Sequence, residues 1–354
     1  MSERTYPLNA WYPLAWTHEV GEALFARKIC DRELVAYRRS DGEVAVLDDA
    51  CWHRLLPLSL GRRVGDEIVC GYHGLRFNAA GRCTNMPAQK TINPSACVRS
   101  YPVVERHRLV WVWPGDPALA DPAAMPDLHW NDGTEWVGEG GTFESLKCDY
   151  RLVVDNLMDL THETYVHSES IGHESILDSP FDVTHTERSA TLSRWMVANE
   201  APPFWGKQLG KPGLVDRWQI ITFQAPNVVV GDVGVAPTAT GAPEGDRSQG
   251  VNGAFLAALA PETGGRSCHY FWNFVRTFRR DDAELTKALT LGHVNNGKGI
   301  YDQDHRVLEA QQKAIEQNPR QPFYHLSFDA GALWSRRKIE QLIARETASA
   351  QAAE

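Results

Sequence analysis

The stretch Asp155 to His167 (DNLMDLTHETYVH) gathers an amide, carboxylates and two histidines among Leu, Met and Val. Polar groups so placed cost free energy unless something pairs with them, and a metal ion would do so. The pattern Asn156-x-x-Asp159-x-x-His162-x4-His167 offers two imidazoles. One carboxylate more would complete the two-His, one-carboxylate face that holds non-haem Fe(II) and leaves positions open for O2. Asp159 lies one helical turn before His162 and is better placed to hold that imidazole N–H than to reach the ion. The preferred third ligand is Asp304, in Tyr301-Asp-Gln-Asp-His305, with Asp302 the runner-up. Helix capping is the competing role for either. On an ideal helix His162 and His167 would stand about 140° apart, so the spacing predicts a π-bulge or a distorted turn within 162–167. A lone histidine would be read as a satisfied core or surface residue; two beside an Asp and an Asn are read as ligands.

A second constellation lies upstream, Cys51-x-His53 and Cys70-x-x-His73, with sixteen residues between His53 and Cys70. Zinc is the competing reading, since two Cys and two His often bind it. The mixed Cys-His pairs and the C-x-H spacing fit zinc poorly. They fit a two-iron cluster in which one iron takes two thiolates and the other two imidazoles. Neutral imidazoles raise the reduction potential of such a cluster above an all-cysteine one. Trp52, Leu55, Leu56, Tyr72, Leu75 and Phe77 are expected to exclude water around it, and Gly71 and Gly74 to let the backbone come close to the sulfurs. In this reading the upstream site feeds electrons to the downstream one.

The elements that must position these groups fall into two sets. Glu33–Arg38, Val44–Leu47, Glu67–Cys70, Arg99–Val104 and Leu109–Trp113 are rich in β-branched and aromatic residues and are separated by turn signals such as Ser40-Asp41-Gly42, which predicts an all-β domain. Its loops at 51–60 and 70–78 carry the Cys/His pairs. Four prolines in 114–127 bar a regular helix or central strand and mark a linker. Beyond it, Tyr150, Val153, Val154, Leu157, Met158 and Leu160 recur at helical spacing. Strands are expected at about 182–198, 217–231, 252–259 and 268–278, a loop or flap at 233–250, and helices at 281–291, 300–318 and 332–348. The expected organisation is a domain at 1–115, a Pro-rich linker at 116–127 and a second domain at 128–354, α+β overall.

Composition narrows the function. A chain of 354 residues is long enough for two cores. A net charge of −9 argues against a nucleic-acid partner, which would call for a basic face. No apolar run approaches the roughly 20 residues of a membrane span, and Met1 to Ala10 has no apolar signal core, so a cytoplasmic protein is expected. Seven cysteines, an odd number, fit a reducing compartment. Outside the motif, Cys30, Cys83, Cys97, Cys148 and Cys268 are expected as small buried apolar residues.

Taken together, C-x-H-x16-C-x-x-H followed by N-x-x-D-x-x-H-x4-H resembles the oxygenase component of Rieske non-haem iron oxygenases. The resemblance runs from Asn9-Ala-Trp-Tyr12 to Ser335-Arg336-Arg337. Asp149-Tyr-Arg-Leu152, Ala201-Pro-Pro-Phe-Trp205, Asp216-Arg-Trp-Gln219 and Glu309-Ala-Gln-Gln312 resemble its vanillate O-demethylase branch. One departure is visible: the family usually has Cys-Pro-His-Arg-Gly-Ala-Pro-Leu, whereas Trp52 stands here for the Pro and Leu55-Leu56 for Gly-Ala. The resemblance implies an N-terminal all-β Rieske domain and an α+β catalytic domain, an antiparallel sheet with helices of the helix-grip type. It implies a 2Fe–2S cluster on Cys51, His53, Cys70 and His73, and one mononuclear Fe(II) on His162, His167 and Asp304. It implies a homotrimer arranged head to tail, with Asp159 joining His162 to the cluster ligand His73 of a neighbouring subunit and Asn156 beside it. Electrons would come from NAD(P)H through a separate flavin- and ferredoxin-type reductase.

The expected reaction is O-demethylation of a methoxylated aromatic acid with O2, vanillate giving protocatechuate and formaldehyde. A carboxylate on the ring calls for a cation, Arg217 first and Arg276 second. Trp218, Phe223, Phe271, Trp272 and Phe274 are candidate ring-facing residues, with sheet-core packing as the competing role. Two other readings stand beside this one: a relative that hydroxylates or N-demethylates another aromatic acid, and a Rieske electron carrier with an inert second domain.

Overall fold

The computed structural model describes residues 4–353. The chain forms two compact units, one of residues up to 125 together with 260–264, the other of 126–259 and 265 onward. The division falls inside the proline-rich segment, which is itself shaped into two turns by Pro117–Leu119 and Pro122–Ala124, each capped by the preceding Asp. Residues 260–264, expected in the second domain, group with the first unit.

The first unit is all β. Its strands are β1 (Tyr12–Trp16), β2 (Phe25–Ile29), β3 (Arg32–Arg38), β4 (Val44–Asp48), β5 (Arg62–Val64), β6 (Glu67–Val69), β7 (Arg76–Phe77), β8 (Cys83–Asn85), β9 (Val103–Arg106) and β10 (Leu109–Val112). They form three antiparallel sheets, β1-β10-β9, β2-β3-β4 and β5-β6-β7-β8. Val35, Tyr37, Leu47, Leu58, Ile68, Phe77 and Val98 pack into one core, and Cys51 and Cys70 belong to it. The expected strand at 99–104 forms only from Val103 on; Ser100 makes an isolated bridge to Leu47. Short polar strands such as β5 and β8 carry too few β-branched or aromatic residues for propensity to reveal them.

The second unit is built on a seven-stranded antiparallel sheet of β11 (Gly140–Leu146), β12 (Phe181–His185), β13 (Ser189–Asn199), β14 (Val215–Gln224), β15 (Val228–Pro237), β16 (Val251–Thr263) and β17 (Ser267–Arg276), in the order β11-β17-β16-β15-β14-β13-β12. β13 alternates half-buried and buried residues, as a strand with one wet face does, whereas β17 is buried along its whole length,. The expected strand 217–231 is two strands, because Ala225-Pro226-Asn227 turns the chain between β14 and β15. The expected flap at 233–250 begins later, since β15 runs to Pro237.

The helices are α1 (Tyr150–Met158), α2 (Glu163–Val166), α3 (Ser175–Asp178), α4 (Pro203–Leu209), α5 (Ala283–His293), α6 (Ile300–Gln317) and α7 (Ala330–Ala353). Asp149 starts α1 by accepting from Arg151 N at 2.9 Å. The helix buries Tyr150, Leu152, Val153, Val154, Leu157 and Met158. Two ties hold it: Asp155 pairs with Arg336 on α7 at 2.7 Å, and Gln312 on α6 accepts from Asp149 N at 3.0 Å. These fix the two segments that carry the candidate metal ligands.

Candidate functional site

α1 ends at Met158, and Asp159 is extended (φ −134°, ψ 101°). A single 3-10 turn, Leu160–His162, follows, then the one-turn α2, with His162 before it and His167 after it. Between the two histidines the chain passes from the 3-10 turn into one α turn and leaves helical geometry at His167 (φ −118°, ψ 28°), so the expected irregularity takes the form of a distorted turn and not of a π-bulge. The result is convergence: His162, His167 and Asp304 each offer a ligand atom within 4.8 Å of the others. Asp304 Oδ1 stands 3.1 Å from His167 Nε2 and 3.4 Å from His162 Nε2. Asn156 Nδ2 is 3.3 Å from the same oxygen and 3.4 Å from His162 Nε2.

Both rings are held by their other nitrogen. His162 Nδ1 donates to the backbone carbonyl of Asp159 at 2.6 Å, and His167 Nδ1 donates to Gln303 Oε1 at 2.7 Å. A carbonyl oxygen only accepts, so Nδ1 of each ring carries a proton and each Nε2 is the nitrogen turned to Asp304. This corrects the expected role of the Asp159 side chain toward His162. The extended backbone turns the carbonyl to the ring, and the carboxylate instead caps the turn, accepting from Thr161 N at 2.9 Å. Asp302 is a helix cap, accepting from the N–H groups of Asn295, Gly297 and Gly299.

Electrostatics fit a cation site. Burial opposes charge on Asp304, but its hydrogen bonds with His162 and His167 hold the carboxyl well below its usual range. Burial likewise opposes charge on His162, and Asp304 outweighs it, raising the imidazole to about 9. Two imidazoles and a carboxylate with both outer nitrogens already bonded suit a divalent ion such as Fe(II).

The three groups open into a cavity. Its walls are largely apolar, with Leu157, Leu160, Ile171, Phe204, Trp205, Val233, Phe255, Phe274 and Ile300 among them. Its polar wall is Glu163, Arg217 and Gln219. Arg217 is buried, and its Nη2 donates to Glu163 Oε2 at 2.8 Å while Gln219 Nε2 donates to the same oxygen at 2.9 Å. Nε and Nη1 of Arg217 and Oε1 of Gln219 have no protein partner. Arg276, the second candidate, does not line the cavity: its guanidinium donates to the carbonyls of Val137, Arg279 and Asp282 and ties the end of β17 to the start of α5. Of the aromatic candidates only Phe274 reaches the cavity; Trp218, Phe223, Phe271 and Trp272 are buried elsewhere.

Glu163, Gln219, His293, Tyr301 and Gln303 join the site without having stood out in the sequence. Period two along β14 puts Gln219 on the face of Arg217, and that signal was available. On the other side of His162 runs an open groove lined by Asp155, Asn156, Asp159, Val307, Phe323, Tyr324, Leu326 and Arg336. His162 lines both the cavity and the groove.

In the first unit two matching turns present the other four groups. Cys51 N donates to Leu56 O and Leu55 N to Cys51 O, both at 2.9 Å; Cys70 N donates to Leu75 O at 2.8 Å and Gly74 N to Cys70 O at 3.1 Å. Gly74 has φ +73°, and Leu55 occupies the equivalent place at φ +59°, a conformation that costs a non-glycine residue on the order of 1 kcal/mol or more. At Gly71 a Cβ would come 2.8 Å from the Leu60 carbonyl oxygen, so its small size serves that approach. Cys51 and Cys70 are buried, and burial foremost pushes the Cys51 thiol up to about 11. The exposed His53 and His73 bring their Nδ1 atoms to 3.1 Å. Two buried sulfurs and two outward imidazoles suit a cluster whose irons differ in ligands. The expected apolar surround is only half present: Leu75 and Phe77 are buried, but Trp52, Leu55 and Tyr72 stand exposed at the tip. Of the remaining cysteines Cys97 is exposed, while Cys30, Cys83, Cys148 and Cys268 are buried.

Comparison with known proteins agrees with this geometry. Residues 10–102 match the Rieske 2Fe–2S domain, and 146–345 match the vanillate O-demethylase oxygenase C-terminal domain. The chain belongs to the Rieske non-haem iron oxygenases. It is 40% identical over 353 residues to the vanillate O-demethylase oxygenase subunit of a Pseudomonas species (strain HR199), covering 98% of each chain. It is 38% identical to the toluene-4-sulfonate monooxygenase system iron-sulfur subunit of Comamonas testosteroni, covering 96% of this chain and 97% of that one. The crystal structure of dicamba monooxygenase bound to dicamba superimposes with a TM-score of 0.87 at 34% identity, covering 97% and 99%. The chain is thus the oxygenase component of a monooxygenase of the O-demethylase type, with a Rieske cluster domain and a mononuclear iron site. Among the described residues no helix is long and apolar enough to cross a membrane.

Proposed function

We propose that this oxygenase O-demethylates a methoxylated aromatic acid, vanillate to protocatechuate and formaldehyde. The observation that carries the reading is the shared cavity: apolar walls, the His162–His167–Asp304 convergence, and a buried Arg217 with two nitrogens unpartnered. A buried guanidinium with free donors calls for a carboxylate or another planar anion. The likeness to a vanillate O-demethylase subunit agrees with it. His162, His167 and Asp304 would hold Fe(II); Cys51, His53, Cys70 and His73 would hold the 2Fe–2S cluster. Bound there, these groups supply activation of O2 and delivery of electrons from a flavin- and ferredoxin-type reductase.

The chain's own residues do the rest. Gln303 and the Asp159 carbonyl keep both Nε2 atoms turned to the ion. Arg217 draws the acid end of the ring to β14, and the apolar walls exclude water. The methyl group leaves as formaldehyde and the ring keeps its oxygen as a phenol. Asp159 faces the open groove, and His73 stands exposed on the cluster tip beside Trp52 and Tyr72. Both features support a homotrimer in which Asp159 joins His162 to His73 of a neighbouring subunit.

The test is formaldehyde release from a panel of methoxybenzoates with a reductase supplied. No formaldehyde from any of them would refute the reading. Ring hydroxylation or N-demethylation would instead give hydroxylated or N-dealkylated products. Iron counting separates an electron carrier, with two irons per chain, from the proposed three.

A further inference from the structure

The cavity has a second polar end that an acid anchored on Arg217 leaves unused. His293 closes α5 and lines the cavity. Its Nδ1 lies 2.7 Å from the Leu289 carbonyl oxygen, which can only accept, so the proton sits on Nδ1 and Nε2 is a bare acceptor,. The ring is held in place: it stacks on Phe274 at 4.6 Å and 28°, and lies against Tyr301 at 5.3 Å and Trp272 at 6.2 Å. Burial pushes its pKa down to about 4, so it is neutral at pH 7. Among the described residues none supplies a donor to Nε2.

Its place relative to the anchor gives the recognition direction. His293 sits over β17, through Trp272 and Phe274, while Arg217 and Gln219 sit on β14. The two strands are three places apart in the sheet, about 14 Å at the backbone,. Arg217 and His293 line the same cavity, so a benzoate held by its acid group at Arg217 can direct its para position toward β17. A hydroxyl at that position is also the neighbour of a meta methoxy group.

We infer that His293 is a specificity-determining residue whose Nε2 accepts a hydrogen bond from a free phenolic hydroxyl, para to the acid and ortho to the methoxy that is removed. The substrate class is then 4-hydroxy-3-methoxybenzoates, not methoxybenzoates at large. This rests on the demethylase reading. A ligand without that donor leaves a buried acceptor unpaired, which lowers affinity by about tenfold to a hundredfold.

The test uses the holoenzyme with its reductase. Formaldehyde release is compared for vanillate and 3-methoxybenzoate, and anaerobic binding for 4-hydroxybenzoate and benzoate. Vanillate should lead by about tenfold or more in kcat/KM, chiefly through KM, and 4-hydroxybenzoate should bind tighter by a similar factor. His293→Phe should bring both ratios close to one; His293→Gln, which keeps an acceptor oxygen, should retain most of the preference. Wild-type ratios near one, or a preference undiminished in His293→Phe, overturn the assignment and leave the demethylase reading standing. Formaldehyde from no methoxybenzoate overturns the reading, and the assignment falls with it. Where a variant fails to fold, the wild-type ligand pairs still decide for or against the assignment.

Discussion

Replacing Gln303 by Leu tests how the metal site is held without touching a ligand. Gln303 lies between Asp302 and Asp304 on α6 and accepts from His167 Nδ1 at 2.7 Å. His167 is 2% exposed, so no water can replace the lost acceptor. In the metal-free variant the ring is free to carry its proton on Nε2 and donate it to Asp304, 3.1 Å away. A metal must then reverse that tautomer and leave a buried N–H unpaired. Such an unmet group costs about 1–3 kcal/mol, and loss of an outer partner to a ligating histidine lowers metal affinity by about 10–100-fold. The two figures agree. Metal-free protein titrated anaerobically with Fe(II) or Co(II) against a chelating indicator should show that drop, with the absorbance of the Rieske cluster unchanged. A dissociation constant within about twofold of wild type would refute the argument that Gln303 sets the tautomer. Asp302→Ala is the contrast: it removes the acceptor for three backbone N–H groups, so it should lower thermal stability while leaving metal affinity within about threefold.

Further outcomes can be checked on the same protein. Arg217→Leu strands Glu163 as a buried carboxylate and should cost about 3–5 kcal/mol in urea denaturation; Arg217→Leu with Glu163→Leu should recover most of it. His162 stands at about 9 in the metal-free site, so at pH 7 metal uptake must expel its proton. Affinity should rise about tenfold per pH unit from 7 toward 9, and calorimetry in two buffers of different ionisation heat should show the release. His293 and His305 are both held down to about 4, burial being the main cause. The unfolded chain takes up those protons near its ordinary value of about 6.5, so stability present above 6.5 should fall away as pH drops toward 4. A flat denaturation midpoint across that window would contradict it. Asp159→Asn should keep both metals and lose nearly all turnover; full turnover in a metal-replete variant would sink its bridging role.

Much of this site is legible in the sequence. Residue type and spacing identify His162, His167 and both Cys/His pairs because metal chemistry restricts which side chains serve. Asp304 is reachable because few carboxylates remain in a helical run. The angular mismatch foretells a distorted turn between the two histidines but not its form: a 3-10 turn running into one α turn depends on capping at Asp159, which is settled by competition among neighbouring turns. Sequence puts Arg217 before Arg276 without a packing reason, since both are buried arginines on strands of one sheet; tertiary placement supplies it, setting one against Glu163 and the other against a loop's carbonyls. His293 is out of reach, because its acceptor character follows from a contact with Leu289 and from three aromatic neighbours.

One imidazole forms part of the wall of two chambers. His162 borders the apolar cavity on one side and the groove on the other, so in the proposed trimer substrate and electron donor would approach it from different sides. A molecule lodged in the groove would press on the same ring that the substrate meets from behind. It would slow turnover without displacing the aromatic acid, and raising the substrate concentration would not relieve it. Blocking this enzyme is therefore a two-door problem, and the door facing the groove can be shut without resembling the substrate.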